Sequence, residues 1–340
     1  MKKILVGMSG GVDSAVSVLL LKEQGYEVGG ANMLLQPCGL REMEGARESA
    51  EKLEIPFYCF EWQQEFRTTV IEPFEQVYIQ GGTPNPCVLC NKTLKFGKFL
   101  DEALALGYDG VATGHYARVR QENGRYLLYM AKDQKKDQTY MLYHLSQEQL
   151  SRVVFPMGDY TKDETRARAG AAELPVASKG DSQDICFIPD GDYLRFLKED
   201  GVVPQPGHFI GPDGEDFGPH KGQEAYTIGQ RRGLDVAYGS RIYVVGKRGG
   251  DVLLGSNEAL FSSTVHVKDV NFIPFDRLDD PIRAQAKLRY TPKTAPCTIY
   301  PAEDGVRLEF DEPQRAVTPG QAAVFYDGEL VLGGGTIVMP

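Results

Sequence analysis

Two short segments carry residue types whose spacing could do chemistry. The first is Ser9-Gly10-Gly11-Val12-Asp13-Ser14, which follows an apolar run and opens an apolar-rich, helix-forming stretch. Glycines at such a junction let successive backbone N–H groups turn inward as an anion nest, and the helix N-terminus adds positive potential. The serine hydroxyls supply further donors for phosphate oxygens, and Asp13 is placed to orient Mg2+ or the cap. The segment lacks the Gly-Lys-Ser/Thr ending of a Walker loop and the G-x-G-x-x-G of a dinucleotide fold. The plain structural alternative is a tight turn with a Ser or Asp cap. The second segment is Thr83-Pro84-Asn85-Pro86-Cys87-Val88-Leu89-Cys90-Asn91. Its two prolines predict an extended, non-helical loop, with Asn91 capping the helix that follows. Cys90 is then expected near a helix N-terminus, where the dipole favours thiolate, the form that attacks or carries sulfur. Two cysteines three residues apart also suit a metal, a redox pair, or simple burial. Cys186, in Asp184-Ile185-Cys186-Phe187-Ile188, becomes a second sulfur for exchange if the fold brings it to the same place. Cys38, Cys59 and Cys297 are expected to be structural.

These residues need a scaffold. Ile4–Met8, Tyr26–Leu34, Phe57–Trp62 and Gly110–Thr113 read as strands, and they alternate with helical stretches at Asp13–Gln24, Arg41–Leu53, Phe66–Gln80 and Lys92–Leu106. Gly25 is a C-cap and Pro73 a kink. Such alternation predicts a parallel sheet with helices on both faces, and ligands beyond the strands' C-terminal ends. The loops that matter are then Ser9–Ser14, Met33–Leu40 and Gly114–Tyr116. Around residue 200 the texture changes. Gly201–Gly222 holds four prolines and many glycines, a linker or short irregular module. Beyond it Arg241–Gly246, Val265–Phe272, Arg283–Tyr290, Cys297–Pro301 and Ala322–Tyr326 are short and strand-like, which predicts a small module followed by a barrel.

The 340 residues are 42% hydrophobic and 25% charged, ordinary globular usage that excludes a disordered chain. No run is long and apolar enough to span a membrane, and Met1-Lys2-Lys3 leads into a glycine-rich break rather than a signal sequence, so a cytoplasmic protein is expected. Six cysteines are too few for a disulfide scaffold. The net charge of −10 argues against indiscriminate nucleic-acid binding and leaves room for a local basic groove.

The Ser9–Ser14 loop resembles the pyrophosphate loop of the ATP-pyrophosphatase superfamily. Taken with Thr83–Asn91, Thr113-Gly114-His115-Tyr116, Lys136–Tyr140, Asp184–Ile188, Thr227–Leu234, Leu288-Arg289-Tyr290 and Thr318–Ala322, the chain resembles the bacterial tRNA-specific 2-thiouridylases nearly end to end. The resemblance implies an α/β ATP-pyrophosphatase domain over 1–200, a small central domain over 201–260 and a C-terminal β-barrel over 261–340. It implies ATP contacts at Gly7, Met8, Ser9, Gly10, Gly11, Val12, Asp13, Ser14, Met33 and Gly114. Asn85, Pro86 and Cys87 would meet the target base, Cys90 would be the nucleophile, and Cys186 the persulfide carrier that closes a disulfide with Cys90. His115, Lys136, Asp137, Gln138, Arg289, Tyr290 and Gln321 would meet tRNA, with lysine, glutamate and glutamine acceptors expected. Sulfur would come from a cysteine-desulfurase relay or free sulfide, and Mg2+ would accompany ATP.

Cys87 stands where many members carry aspartate, and the stretch from Met33 to Cys59 is shorter than usual. Cys87, Cys90 and Cys186 could therefore hold a [4Fe-4S] cluster instead, as in related thiolating enzymes. Two further readings compete: another adenylating enzyme of the superfamily, such as an amidotransferase, and a tRNA-binding protein without catalysis. The thiols argue against the first and the intact Ser9–Ser14 loop against the second.

Overall fold

A computed structural model describes residues 2–36, 39–180, 185–204, 206–290 and 293–339. The N-terminal unit is built on strands β1 (Lys3–Gly7), β2 (Glu27–Leu34), β3 (Phe57–Glu61) and β4 (Gly110–Thr113), each a short apolar run. After β4 a hairpin of β5 (Ala117–Glu122) and β6 (Arg125–Met130) leaves the sheet, and β7 (Val153–Val154) returns to it. The sheet order is β3-β2-β1-β4-β7, and every pairing in it is parallel. The chain reverses its direction of growth between β1 and β4, and a crevice opens beyond their C-terminal ends at such a switch point. Helix α1 (Val12–Glu23) ends where Gly25 takes a left-handed φ of +84°, and α2 (Leu40–Lys52) follows β2. Apolar clusters cover both faces of the sheet: Ile4, Val6 and Ala112 pack on one side, Leu5 and Val111 on the other.

Two helical runs depart from the sequence reading. The first begins at Gln63 and reaches Ile79, and a π turn over Arg67–Ile71 stands just before Pro73. The break expected at Pro73 is thus absorbed as a local widening of the helix. The second begins at Pro86, not at residue 92. Pro86 is the first helical residue, where a missing N–H costs nothing, and Asn85 caps it by accepting from Val88 N at 3.4 Å. Asn91 lies inside this helix, as the first residue of a second π segment, Asn91–Lys98.

The proline- and glycine-rich stretch after residue 200 is not merely a linker. It supplies β8 (His208–Ile210) and β9 (Asp216–Pro219), which join β10 (Tyr243–Arg248) and β11 (Asp251–Gly255) in a four-stranded sheet. The C-terminal unit closes on itself: β12 (Phe261–Phe272), β15 (Gly305–Arg315), β14 (Ala295–Ala302), β13 (Ile282–Lys287), β16 (Ala322–Asp327) and β17 (Leu330–Val338) pair in that order, and β17 pairs back to β12. One strand pairing, Leu330 with Tyr129 of β6, continues this six-stranded antiparallel barrel into the β5–β6 hairpin of the first unit. Among the described residues no helix is long and apolar enough to cross a membrane. Cys297 is fully buried in the barrel core, as expected, whereas Cys59 is exposed on β3 and packs little. Cys38 lies outside the described residues.

Candidate active site

The crevice beyond β1 and β4 is a cavity of about 500 Å3. Its two ends have different chemistry. At the first end the chain from Gly7 to Ser14 turns over the sheet edge. Gly10 takes φ +70°, and a Cβ there would overlap the carbonyl oxygen of Glu42 in α2. Gly114, at the end of β4, has the same constraint from the other side: a Cβ would stand 2.9 Å from Asp13 Cβ and from Ser14 N. Only glycine lets β4 approach the start of α1 so closely. The cap of α1 is Gly11, with no side-chain bond. Ser14 Oγ instead accepts from Ser9 N at 3.2 Å and donates to Gly11 O at 3.1 Å. A Ser or Asp cap is therefore absent, and the first-turn N–H groups have no capping side chain. That arrangement suits an anion.

Asp13 faces neither a cap nor open space. Lys162 Nζ donates to both of its carboxylate oxygens, at 2.8 and 2.9 Å, and Tyr116 Oη donates to Oδ1 at 3.0 Å. Lys179 Nζ holds the loop from the other side by donating to Gly10 O at 2.9 Å. Lys162 and Lys179 carry no local sequence signal, because they reach the loop from 149 and 169 residues away in the chain. Asn32 Nδ2 donates to Met8 O at 2.8 Å, and half-buried Met33 beside it lines the cavity.

The second end is lined by Pro86, Cys87, Cys90, Lys95, Cys186 and Tyr290. Cys186 is exposed to the cavity, and its neighbours anchor it. Phe187 is buried among Phe66, Phe74 and Phe196, with ring centroids 5.1–5.6 Å apart. Cys90 is only 8% exposed and packs in the same cluster. Burial pushes its thiol up to about 12, against an opposing pull from Lys95. Burial raises Cys87 and Cys186 as well, and Lys95 again opposes it at both. The thiolate expected from the helix dipole is thus overruled, because a residue one turn into the helix and out of water is dominated by desolvation. His115 forms a 2.7 Å contact through Nδ1 with Thr113 Oγ1. Burial, then Lys95 and His144, holds it well below its ordinary range, so it is neutral.

The thiols of the cavity, as arranged among the described residues, do not form a cluster site. Asp13, the carboxylate on the nucleotide wall, is engaged by Lys162 and Tyr116. Among the described residues no group of three or more His, Cys, Asp or Glu side chains converges, Cys87, Cys90 and Cys186 included.

The residues expected at an RNA surface divide into three sets. Lys136, Gln138, His115 and Tyr290 line the cavity. Gln138 also fixes Tyr116, accepting from its N–H at 2.9 Å through Oε1. Asp137, by contrast, is 5% exposed. Its Oδ1 accepts from Ala131 N and its Oδ2 from Thr139 Oγ1, so it braces the Lys136–Thr139 turn from beneath instead of meeting a ligand. Gln321 ties the barrel to the first unit, and Arg289 bonds within the barrel. Gln321 Nε2 donates to Thr83 O at 2.9 Å and Pro84 O at 3.2 Å, while Thr83 N donates to Pro319 O at 2.9 Å. The barrel therefore grips the loop that carries Asn85, Pro86 and Cys87. Arg289 Nη2 donates to Ala316 O at 2.6 Å, and Gly229 of the central module packs on Ala316.

Sequence comparison agrees with this layout along the whole chain. Residues 2–190 match a tRNA methyl transferase HUP domain, 195–251 a tRNA methyl transferase PRC-barrel domain, and 262–337 an aminomethyltransferase beta-barrel domain. A tRNA-specific 2-thiouridylase from Acetivibrio thermocellus is 46% identical over 355 residues, covering 99% of each chain. One from Clostridium tetani is 47% identical over 353 residues, covering 99% of this chain and 98% of that one. Among solved structures, a U34-tRNA thiolase from Methanococcus maripaludis has a TM-score of 0.38 at 16% identity, over 58% of this chain and 66% of that one, and nothing about the site follows from it. Full-length identity at this level, on a chain with the same three consecutive domains, places it: the protein belongs to the tRNA-specific 2-thiouridylase family.

Proposed function

We propose that the chain is an ATP-dependent sulfurtransferase that converts the C2 carbonyl of the wobble uridine, U34, of tRNA to a thiocarbonyl. The observation that carries this reading is the shared cavity: the Gly7–Ser14 loop lines one end, and Cys87, Cys90 and Cys186 line the other. Its volume of about 500 Å3 suits a nucleotide-sized ligand. The domain descriptions name a methyl transferase, but methyl transfer needs no thiols beside an anion-binding loop.

The uridine C2 oxygen attacks the α-phosphate of ATP held at the Gly7–Ser14 end, and pyrophosphate leaves. The base must be unstacked to do this. Asn85, Pro86 and Cys87 receive it. Cys186 enters the cycle as a persulfide loaded by a sulfur donor. Its terminal sulfur bonds to C2 and AMP leaves with the former C2 oxygen. Cys90, deprotonated for the step, attacks Cys186 Sγ. The Sγ–sulfur bond breaks, its electron pair stays with the sulfur now on C2, and a Cys90–Cys186 disulfide remains for an external thiol to reduce. The lysine, glutamate and glutamine tRNAs are the expected acceptors, read through Lys136, Gln138, His115 and Tyr290.

Incubation of the protein with such a tRNA, ATP and a persulfide donor tests the reading. One AMP and one pyrophosphate should form per 2-thiouridine detected by mass spectrometry. Thiouridine formed without AMP, or AMP formed without thiouridine, would overturn it.

A further inference from the structure

Three lysines lie on the helix that carries the cysteines, and they have three different settings. Lys92 is exposed, while Lys98 is paired with Glu65 and lies over the Trp62 ring, 5.1 Å from its centroid. Lys95 is half-buried and lines the cavity, and among the described residues it has no ion-pair or hydrogen-bond partner. Its position follows from the helix type. Asn91–Lys98 is a π segment. A π turn closes five residues on and holds more residues per turn than an α turn, so it swings residue i+5 back toward the face of residue i from the about 140° that an α turn would give. The π register therefore turns Lys95 toward the face of Cys90, and both line the same cavity. An α register would aim it elsewhere.

We propose that Lys95 is the electrostatic partner of Cys90 in sulfur release, stabilising the negative charge that Cys90 must carry to attack Cys186. This rests on the persulfide reading of the site. In the step, the Cys90 proton goes to water and Lys95 stays protonated. The Cys90–Cys186 bond forms, the persulfide bond breaks, and its sulfane sulfur is reduced as the two cysteines are oxidised. The other titratable groups on the cavity wall do not substitute for it. His115 is neutral, Lys162 is committed to Asp13, Tyr290 is a phenol that carries no positive charge and whose ionisation burial opposes, and Lys95 is the cation that bears on the Cys90 thiol. The same ammonium bears on Cys87, Cys90, Cys186 and His115, and at every thiol it opposes the burial that favours the neutral form.

The test is peptide-resolved alkylation of Cys90 by iodoacetamide in the full chain between pH 7 and 9, without tRNA or ATP. While the pH stays below the thiol pKa, raising that pKa by about one lowers the thiolate fraction about tenfold. Lys95→Gln should slow Cys90 alkylation about tenfold at each pH, and Lys95→Arg should restore it to within about twofold. Lys92→Gln should leave it unchanged. If Lys95→Gln does not fold, Lys95→Met, which keeps the aliphatic stem, takes its place. Alkylation equal to the parent's in the uncharged variants, or no rescue by arginine, overturns the proposal. Because no tRNA is present, either result is independent of whether the chain thiolates RNA.

Discussion

The two ends of the cavity are built in different ways. The nucleotide end is local. Its loop, strand and helix are consecutive in sequence, and Gly10 and Gly114 let α2 and β4 approach them closely. The sulfur end is assembled. Cys87 and Cys90 sit on a helix gripped by the barrel through Gln321, and Cys186 is held by aromatic packing of Phe187 on the helical run from Gln63. The central module touches the same region, where Gln223 Nε2 donates to Ile79 O at 2.8 Å. A site that binds an invariant phosphate can be rigid and prebuilt. A site that must meet a base, a sulfur donor and a reductant in turn draws on several units.

Substitutions should separate these ends. The largest effect is expected at Gly10→Ala, which adds an overlap with Glu42 to a left-handed backbone; strain of this kind costs about 1–3 kcal/mol before the clash is counted. ATP binding by calorimetry should be lost, while Cys186 still accepts a persulfide. Asp13→Asn comes next. It removes the carboxylate charge that Lys162 faces on a partly buried wall, at a cost of about 1–2 kcal/mol once solvent screening is allowed for. Pyrophosphate release should fall, and the double variant with Lys162→Met should fall less than the sum of the two singles. Gln321→Ala should act only on the sulfur end. Two lost hydrogen bonds of about 1 kcal/mol each predict thiolation slowed by roughly tenfold or more with the Kd for ATP unchanged. Equal effects on both activities would erase the distinction between the ends.

A smaller effect concerns pH. Folding raises the Cys90 pKa from an ordinary 9.0 to about 12. A thiol held neutral in the folded state contributes stability that is present below about pH 9 and is lost as pH rises toward the folded value. Urea midpoints of the parent should therefore decline between pH 9 and 10.5, and those of Cys90→Ala should decline less.

The legibility of the sequence follows the same division. Strands β1 to β4 are short apolar runs between turn residues, and local pattern alone locates them to within a residue or two. The nucleotide loop is legible for the same reason. The β5–β6 hairpin is absent from the sequence reading, although Asn123-Gly124 at its tip, with φ of +49° and +80°, is a strong two-residue turn signal. Lys162 and Lys179 are out of reach because contacts across 149 and 169 residues leave no local period. Lys95 is hidden by the opposite problem. Counting at 3.6 residues per turn puts it off the Cys90 face, and nothing in the composition of Asn91–Lys98 announces a π register. The thiolate expected at Cys90 fails because helix position counts for less than burial, and burial is set by Phe66, Phe74 and Phe187.

On the proposed reading, one cavity both adenylates the uridine C2 oxygen and delivers sulfur to C2. Labelling that oxygen tests this most directly. A tRNA carrying 18O at C2 of U34 is thiolated in a single turnover with unlabelled ATP in unlabelled water, and the products are weighed by mass spectrometry. The label should leave in the phosphate of AMP, one 18O per thiouridine. Label found in water or in pyrophosphate, with AMP unlabelled, would contradict the shared-cavity reading.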